Sequence, residues 1–375
     1  MKRNRVFIRD FTSISSLGVG INETISNLEK EQCPIYIPTD SEIFHYPHFR
    51  INQTLFDSNE LINCSKIVLK LLEMVEKSFV KYKNIPIFIG TSTGGIRETE
   101  EVYRDLSEKK IKYPLFKRHF FNKMVTDVKS KYGDTIGEFY TFSTACSSSG
   151  HSLLQAYKFI KNGLIDRALV VGVDTLSLTT MIGFDSLKLV SHTGTKPLTT
   201  GRDGLSLGEG GGVLFLESGD ETGVDSEIVG CHSNSDGYHI SSPDPDGAMQ
   251  RECVEKTLQE AGITPSDIDY INAHGTGTPM NDEVEIKTIK TFFNNKVIVS
   301  SLKSFIGHTL GASTACELAI TLAMLKNNKI YQVKDFSDPM DEIVLTKTIQ
   351  KDVKYFLKNS FGFGGNNFTV GIKVK

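Results

Sequence analysis

Nowhere in the 375 residues does an apolar run approach the roughly 20 residues that cross a bilayer, which excludes a helical membrane span. The N-terminal stretch is broken by Arg3, Arg5 and Arg9, too early for the apolar core of a signal peptide. Cysteine is sparse and scattered. Cys33, Cys64, Cys146, Cys231, Cys253 and Cys316 form no CxxC pair and no Cys/His cluster at zinc-finger spacing, so neither a disulfide framework nor a metal site is expected. A net charge of −3 argues against a surface built to grip nucleic acid. Pro/Gly-rich low-complexity sequence is absent as well. These absences leave a soluble, cytoplasmic globular protein with no nucleic-acid partner and no membrane insertion.

What is present is a recurring alternation. Short β-branched runs at 85–90, 168–173, 212–217, 297–301 and 368–374 read as buried strands. Helical spacing of apolar residues falls between them, at 247–261 and 317–326. Strands alternating with helices give an α/β architecture. The segment from Ser149 to Gly163 is echoed by the one from Ser313 to Asn328, and the polar stretch from Ser218 to Ser226 makes a natural seam. Two similar halves, 1–220 and 221–375, are therefore expected.

Four segments carry chemistry. In Thr144-Ala145-Cys146-Ser147-Ser148-Ser149-Gly150, small residues surround a thiol that leads into an apolar-periodic helix. A free thiol has a pKa of ~8.5, and the positive end of a helix lowers it. His274 lies in a Gly-rich turn after a strand-like run, with the hydroxyls of Thr276 and Thr278 beside it and a helix beginning near Asn281. Lys303 and His308 share one short turn between a strand and a helix. Finally, Phe361, Gly362, Phe363, Gly364 and Gly365 precede the last strand, where glycines let main-chain N–H groups approach a ligand and supply half of an oxyanion hole. The Gly-rich stretch from Thr200 to Gly212 lacks the Gly-Lys-Ser/Thr ending of a phosphate loop and reads as a structural turn.

Taken in this order, the segments resemble the elongating β-ketoacyl-acyl-carrier-protein synthases of the thiolase superfamily. The resemblance runs from about Ser143 to Lys375 and includes the stretches at 196–204, 208–214 and 242–247. It implies a five-layered α/β/α/β/α fold of two similar halves, with Cys146 and His308 opening equivalent helices. It also implies a homodimer in which strands near Phe142 pair across a twofold axis. By resemblance Cys146 is the acylated nucleophile, His274 and His308 are the histidine pair, and Lys303 accompanies His308. Thr276 and Thr278 are similar to residues that bind the pantetheine arm, Phe363 to the gate over the acyl pocket, with Phe361 and Gly364 beside it, and Glu317 to a buried structural glutamate. Thiolases carry a second active cysteine and initiating synthases an asparagine for one histidine; neither pattern stands here. The implied reaction condenses an acyl thioester with a malonyl thioester. It needs no cofactor of the protein's own, because phosphopantetheine arrives on the acyl carrier protein.

Two other readings use the same residues. A non-catalytic chain-length factor would lack the nucleophile, and a Cys-His hydrolase would leave Lys303 and one histidine idle. Between Lys109 and Lys131 the chain also concentrates positive charge, with Lys117, Arg118 and Lys123 facing a single acidic residue, Asp127. An acidic carrier protein would dock there.

Overall fold

The computed structural model describes residues 4–39, 42–52, 54, 62–111, 119, 121–220, 226–293, 297–334 and 338–374. Among the described residues, ten strands form the path of the large sheet. The first five are β1 (Val6–Ser15), β2 (Ile85–Gly90), β3 (Ile136–Phe142), β4 (Arg167–Asp174) and β5 (Gly210–Ser218). The second five are β6 (Ser226–Ser235), β7 (Tyr270–Asn272), β8 (Ile298–Ser300), β9 (Tyr355–Gly362) and β10 (Asn366–Val374).

Their pairing shows the duplication. In the first set β2 runs parallel to β3 and β4, while β5 is antiparallel to β4 and β1. In the second, β7 runs parallel to β8 and β9, while β10 is antiparallel to β9 and β6. The same order therefore occurs twice. The halves join where Val6 and Phe7 of β1 pair with Ile228 and Glu227 of β6, which makes one continuous path of strands.

Five layers result. Helix α1 (Cys64–Phe79) covers the outer face of β1 and β5, and α2 (Phe121–Tyr132) packs on α1. On the opposite outside, α5 (Ala248–Ala261) covers β6 and β10 and packs on α6 (Pro279–Phe292). Between the sheets lie α3 (Ser148–Lys161) and α7 (Ser313–Lys326), each touching strands of both halves. With α4 (Leu178–Ser186) beside the cleft described below, this is the expected five-layered arrangement. Strands covered on both faces need no polar face, which is why β2, Ile-Pro-Ile-Phe-Ile-Gly, is buried throughout.

Helix α7 departs from the sequence reading. It begins at Ser313 rather than Glu317, because its first turn is Ser-Thr-Ala-Cys, buried on every side and without an apolar stripe. His308 does not open it. A 3-10 turn from Leu310 to Ala312 intervenes, and the imidazole sits five residues ahead of the helix. Helix α6 starts at Pro279, two residues before the expected Asn281, with the proline in its first turn.

Three glycines let the two inner helices meet the sheet. A Cβ on Gly90 of β2 would fall 2.3 Å from Ser149 N, and one on Gly172 of β4 would fall 2.7 Å from Ser149 Cβ and 2.9 Å from Ala315 Cβ. On Gly212 of β5 it would fall 2.5 Å from the backbone of Ala315 and Cys316. These contacts bring the starts of α3 and α7 together, and with them the segments just ahead. Over-packing of this kind costs about 1–3 kcal/mol. Gly212→Ala is expected to lower the thermal midpoint by a few °C, whereas Gly201→Ala, with no neighbouring atom within 4 Å, leaves it unchanged; equal melting of the two variants would contradict this packing.

Candidate active site

Cys146 ends a tight turn in which Ala145 adopts the left-handed region at φ 51°. The three serines that follow satisfy the turn's buried polar groups. Ser147 Oγ donates to Thr144 O at 2.8 Å and Ser148 Oγ to Ala145 O at 2.6 Å. Ser149 Oγ accepts from Ala315 N at 3.2 Å, capping a free amide of α7. The thiol lies two residues before α3 and is 4% exposed. Burial pushes it up to about 11; the Phe363 amide and Lys303 pull it down, and Asp174 pushes it further up. The expectation of a lowered thiol is thus corrected, because desolvation outweighs the neighbouring amides and the nearby cation. At neutral pH the group rests as a thiol, and its chemistry requires a base.

His274 leads the turn after β7. Two carboxylates from α6 hold that turn through its backbone. Glu285 accepts from His274 N and Gly275 N, both at 2.8 Å, while Asp282 accepts from Thr276 N at 2.9 Å and Gly277 N at 3.1 Å. Thr276 and Thr278 share a hydrogen bond at 2.9 Å and line the cleft.

His308 has a defined tautomer. Leu310 N donates to its Nδ1 at 3.2 Å, with Ser313 Oγ also 3.2 Å away. An Nδ1 that accepts leaves the proton on Nε2. Leu310 holds a left-handed φ of 53° at this turn. The rings of His274 and His308 meet edge to face at 5.3 Å, and Cys146 Sγ with one nitrogen of each ring lie within 4.8 Å of one another. Burial, reinforced by the charges of Lys303 and Lys358, holds both rings well below the ordinary histidine range, so they stay neutral.

Lys303 does not point into solvent. It is fully buried, with Nζ 2.6 Å from Glu317 Oε1, and the second carboxylate oxygen meets Lys358 Nζ at 2.9 Å. A cleft opens over Cys146, His274, His308, Thr276, Thr278 and Phe363. Phe361 packs against His274, with the rings 6.4 Å apart, and Phe363 stacks on Phe184 of α4 at 5.3 Å. Gly364, at φ 72°, is exposed at the rim. A side chain at Gly362 would crowd the amides of Cys146 and Ser147 at 3.2 Å, so glycine there keeps the Cys146 and Phe363 amides beside the thiol.

Sequence reasoning missed Asp282, Glu285, Asp174, Phe184 and Lys358. Asp282 and Glu285 stand three apart just after the His274 turn, a spacing that places both on one helix face. Asp174 accepts from Thr91 Oγ1 at 2.6 Å, Thr93 Oγ1 at 2.7 Å and Gly311 N at 2.7 Å, joining the two halves beneath the site. Lys358 lies in a strand buried on both faces, but Asn359 and Ser360 follow it, so no apolar run in the sequence marked it as a buried charge. In the basic stretch, Lys117 and Arg118 lie outside the described residues, and Lys123 pairs with Asp127 on the next turn of α2.

Two family models match the chain: beta-ketoacyl synthase, N-terminal domain, over residues 61–222, and beta-ketoacyl synthase, C-terminal domain, over residues 226–337. The match thus reaches well upstream of Ser143. The 3-oxoacyl-[acyl-carrier-protein] synthase 2 of Staphylococcus aureus is 32% identical over 310 residues, 77% of each chain. A ketosynthase in complex with its chain length factor from Xenorhabdus doucetiae superposes with a TM-score of 0.88 at 26% identity, covering 99% of this chain and 98% of that one. A beta-ketoacyl synthase from Burkholderia phymatum shares the fold, with a TM-score of 0.85 at 23% identity, 99% of this chain and 100% of that one. With its cysteine and two neutral imidazoles gathered at the junction of two like halves, this chain belongs to the beta-ketoacyl synthase family.

Proposed function

We propose that the protein condenses an acyl group, held as a thioester on Cys146, with a malonyl group carried on an acyl carrier protein, in fatty-acid or polyketide chain elongation. The observation that carries this reading is the pair of neutral imidazoles within 4.8 Å of a buried thiol. In the first half-reaction Cys146 Sγ attacks the acyl thioester carbonyl. The Sγ–H proton passes to the departing pantetheine thiolate, and the amides of Cys146 and Phe363 hold the tetrahedral oxyanion. Pantetheine lies along Thr276 and Thr278, beneath the gate formed by Phe363.

The second half-reaction breaks the bond between the malonyl carboxylate and its α-carbon. CO2 departs, and the electron pair passes into an enolate whose oxygen accepts N–H bonds from His274 and His308. A neutral ring is a hydrogen-bond donor too weakly acidic to quench the carbanion, so the enolate carbon survives to attack the acyl-Cys146 thioester. The Cys146 thiolate leaves and takes up a proton from solvent to restore the thiol, and β-ketoacyl carrier protein is released. Lys303 and Glu317 form the charged floor that orients His308. A chain-length factor would have no use for the complete set.

We also propose a homodimer. Among the described residues β3 ends the strand order and has one neighbour, β2, leaving its outer edge, with Tyr140 and Phe142 partly exposed, open for the same strand of a second copy. Sedimentation equilibrium at micromolar concentration is expected to return twice the chain mass, and a stable monomer would contradict the pairing.

The reaction separates by substitution. Cys146→Ala is expected to abolish acylation and condensation while malonyl decarboxylation persists. His274→Ala is expected to slow decarboxylation by roughly 10²–10³, the size of one lost oxyanion donor, while labelled acyl transfer to Cys146 continues. Elongation by Cys146→Ala, or equal loss of both half-reactions in His274→Ala, would contradict the assignment.

A further inference from the structure

Lys358 lies in the middle of β9, fully buried, and does not line the cleft. An ammonium has three N–H donors; two go to backbone carbonyls, and the charge pairs with a carboxylate. Nζ meets Glu317 Oε2 at 2.9 Å, Asn359 O at 2.8 Å and Ala273 O at 3.3 Å. Ala273 immediately precedes His274. The other oxygen of Glu317 holds Lys303, five residues before His308. One ammonium therefore ties the backbone that delivers His274 to the carboxylate that anchors the Lys303–His308 turn.

The charge balance points the same way. One lysine would neutralise Glu317; a second leaves positive charge behind the imidazole pair. Among the described residues the other ionisable groups around the site include Asp282 and Glu285 on α6, which spend their oxygens mainly on backbone amides, Asp236 on the cleft wall, which accepts from Tyr238 N and Asp244 N, Asp174 at the end of β4, and Cys146 itself. We propose that Lys358 is a positioning residue for the decarboxylation step: it fixes the start of the His274 turn through the Ala273 carbonyl, and its charge keeps both imidazoles in the N–H-donating, unprotonated form. Burial lowers Lys358 to about 8, against the pull of Glu317, so it is charged at neutral pH. Lys303 and then Lys358 add to burial in disfavouring protonation of each ring.

The proposal rests on the condensation reading above, and its test separates the two. The imidazole titrations of His274 and His308 are followed by NMR in the resting enzyme, with histidine labelled in its ring carbons. Both half-reactions are measured in parallel across pH. In Lys358→Met, removal of a repelling charge raises the folded-state pKa of both rings. Their titrations and the acid limb of malonyl decarboxylation then move to higher pH, and decarboxylation falls by roughly tenfold to a hundredfold as His274 loses its fixed position. Acyl transfer to Cys146 is expected to stay within about twofold. Lys358→Arg, which keeps the charge, retains the wild-type acid limb. Lys358→Gln keeps a donor for the carbonyls without the charge, and it gives the same ring shift should the methionine variant fail to fold. Titrations unmoved in the uncharged variants, or equal loss of both half-reactions, would overturn the role of Lys358. A wild-type enzyme unable to decarboxylate a malonyl thioester would overturn the reaction, while the substrate-free titrations would still decide whether Lys358 sets the charge state of the rings.

Discussion

The catalytic end of the molecule depends on one carboxylate. Glu317, fully buried in α7, bridges Lys303 and Lys358, which are equally buried. Charges in such a place are costly to desolvate, and removing one partner of a buried ion pair costs about 3–5 kcal/mol. Each lysine in turn anchors a different turn, Lys303 the one that ends in His308 and Lys358 the one that begins at His274. The geometry of two separate loops is thus tied to a single helix residue, and that helix can lie between the sheets only because Gly172 and Gly212 have no side chains.

Burial also decides the protonation states. The same exclusion of water raises the thiol and lowers both imidazoles, so the resting site holds three neutral groups rather than a thiolate–imidazolium pair. This arrangement suits a reaction in which negative charge develops on an oxygen and must be met by donors that do not surrender their protons. Charge is kept in the floor, one layer away from the reacting atoms.

Much of this was legible in the sequence. β-branched runs marked the strands because a strand covered on both faces needs no polar alternation, and the cysteine, the histidines and Lys303 stood out by sitting in small-residue turns between strand and helix. The start of α7 was not legible, since Ser313 to Cys316 carry no apolar period when every side is buried. The rise of the Cys146 thiol was also hidden, because burial depends on the far half of the chain. The spacing of Asp282 and Glu285 put both on one helix face, but that they act through the backbone amides of the His274 turn was not legible. Lys358 was hidden too, because Lys358, Asn359 and Ser360 break the apolar run of the strand, and its partners Ala273 and Glu317 are 85 and 41 positions away in the chain.

The most direct test of the account is the intact mass of the protein through one turnover. Acyl carrier protein bearing an acyl chain is supplied first, and malonyl carrier protein second. One acyl adduct, mapped to Cys146, is expected, and it disappears on the second addition with release of one CO2 per adduct and appearance of the β-ketoacyl carrier protein. An adduct on another residue, or its loss as free acid without CO2, would contradict it.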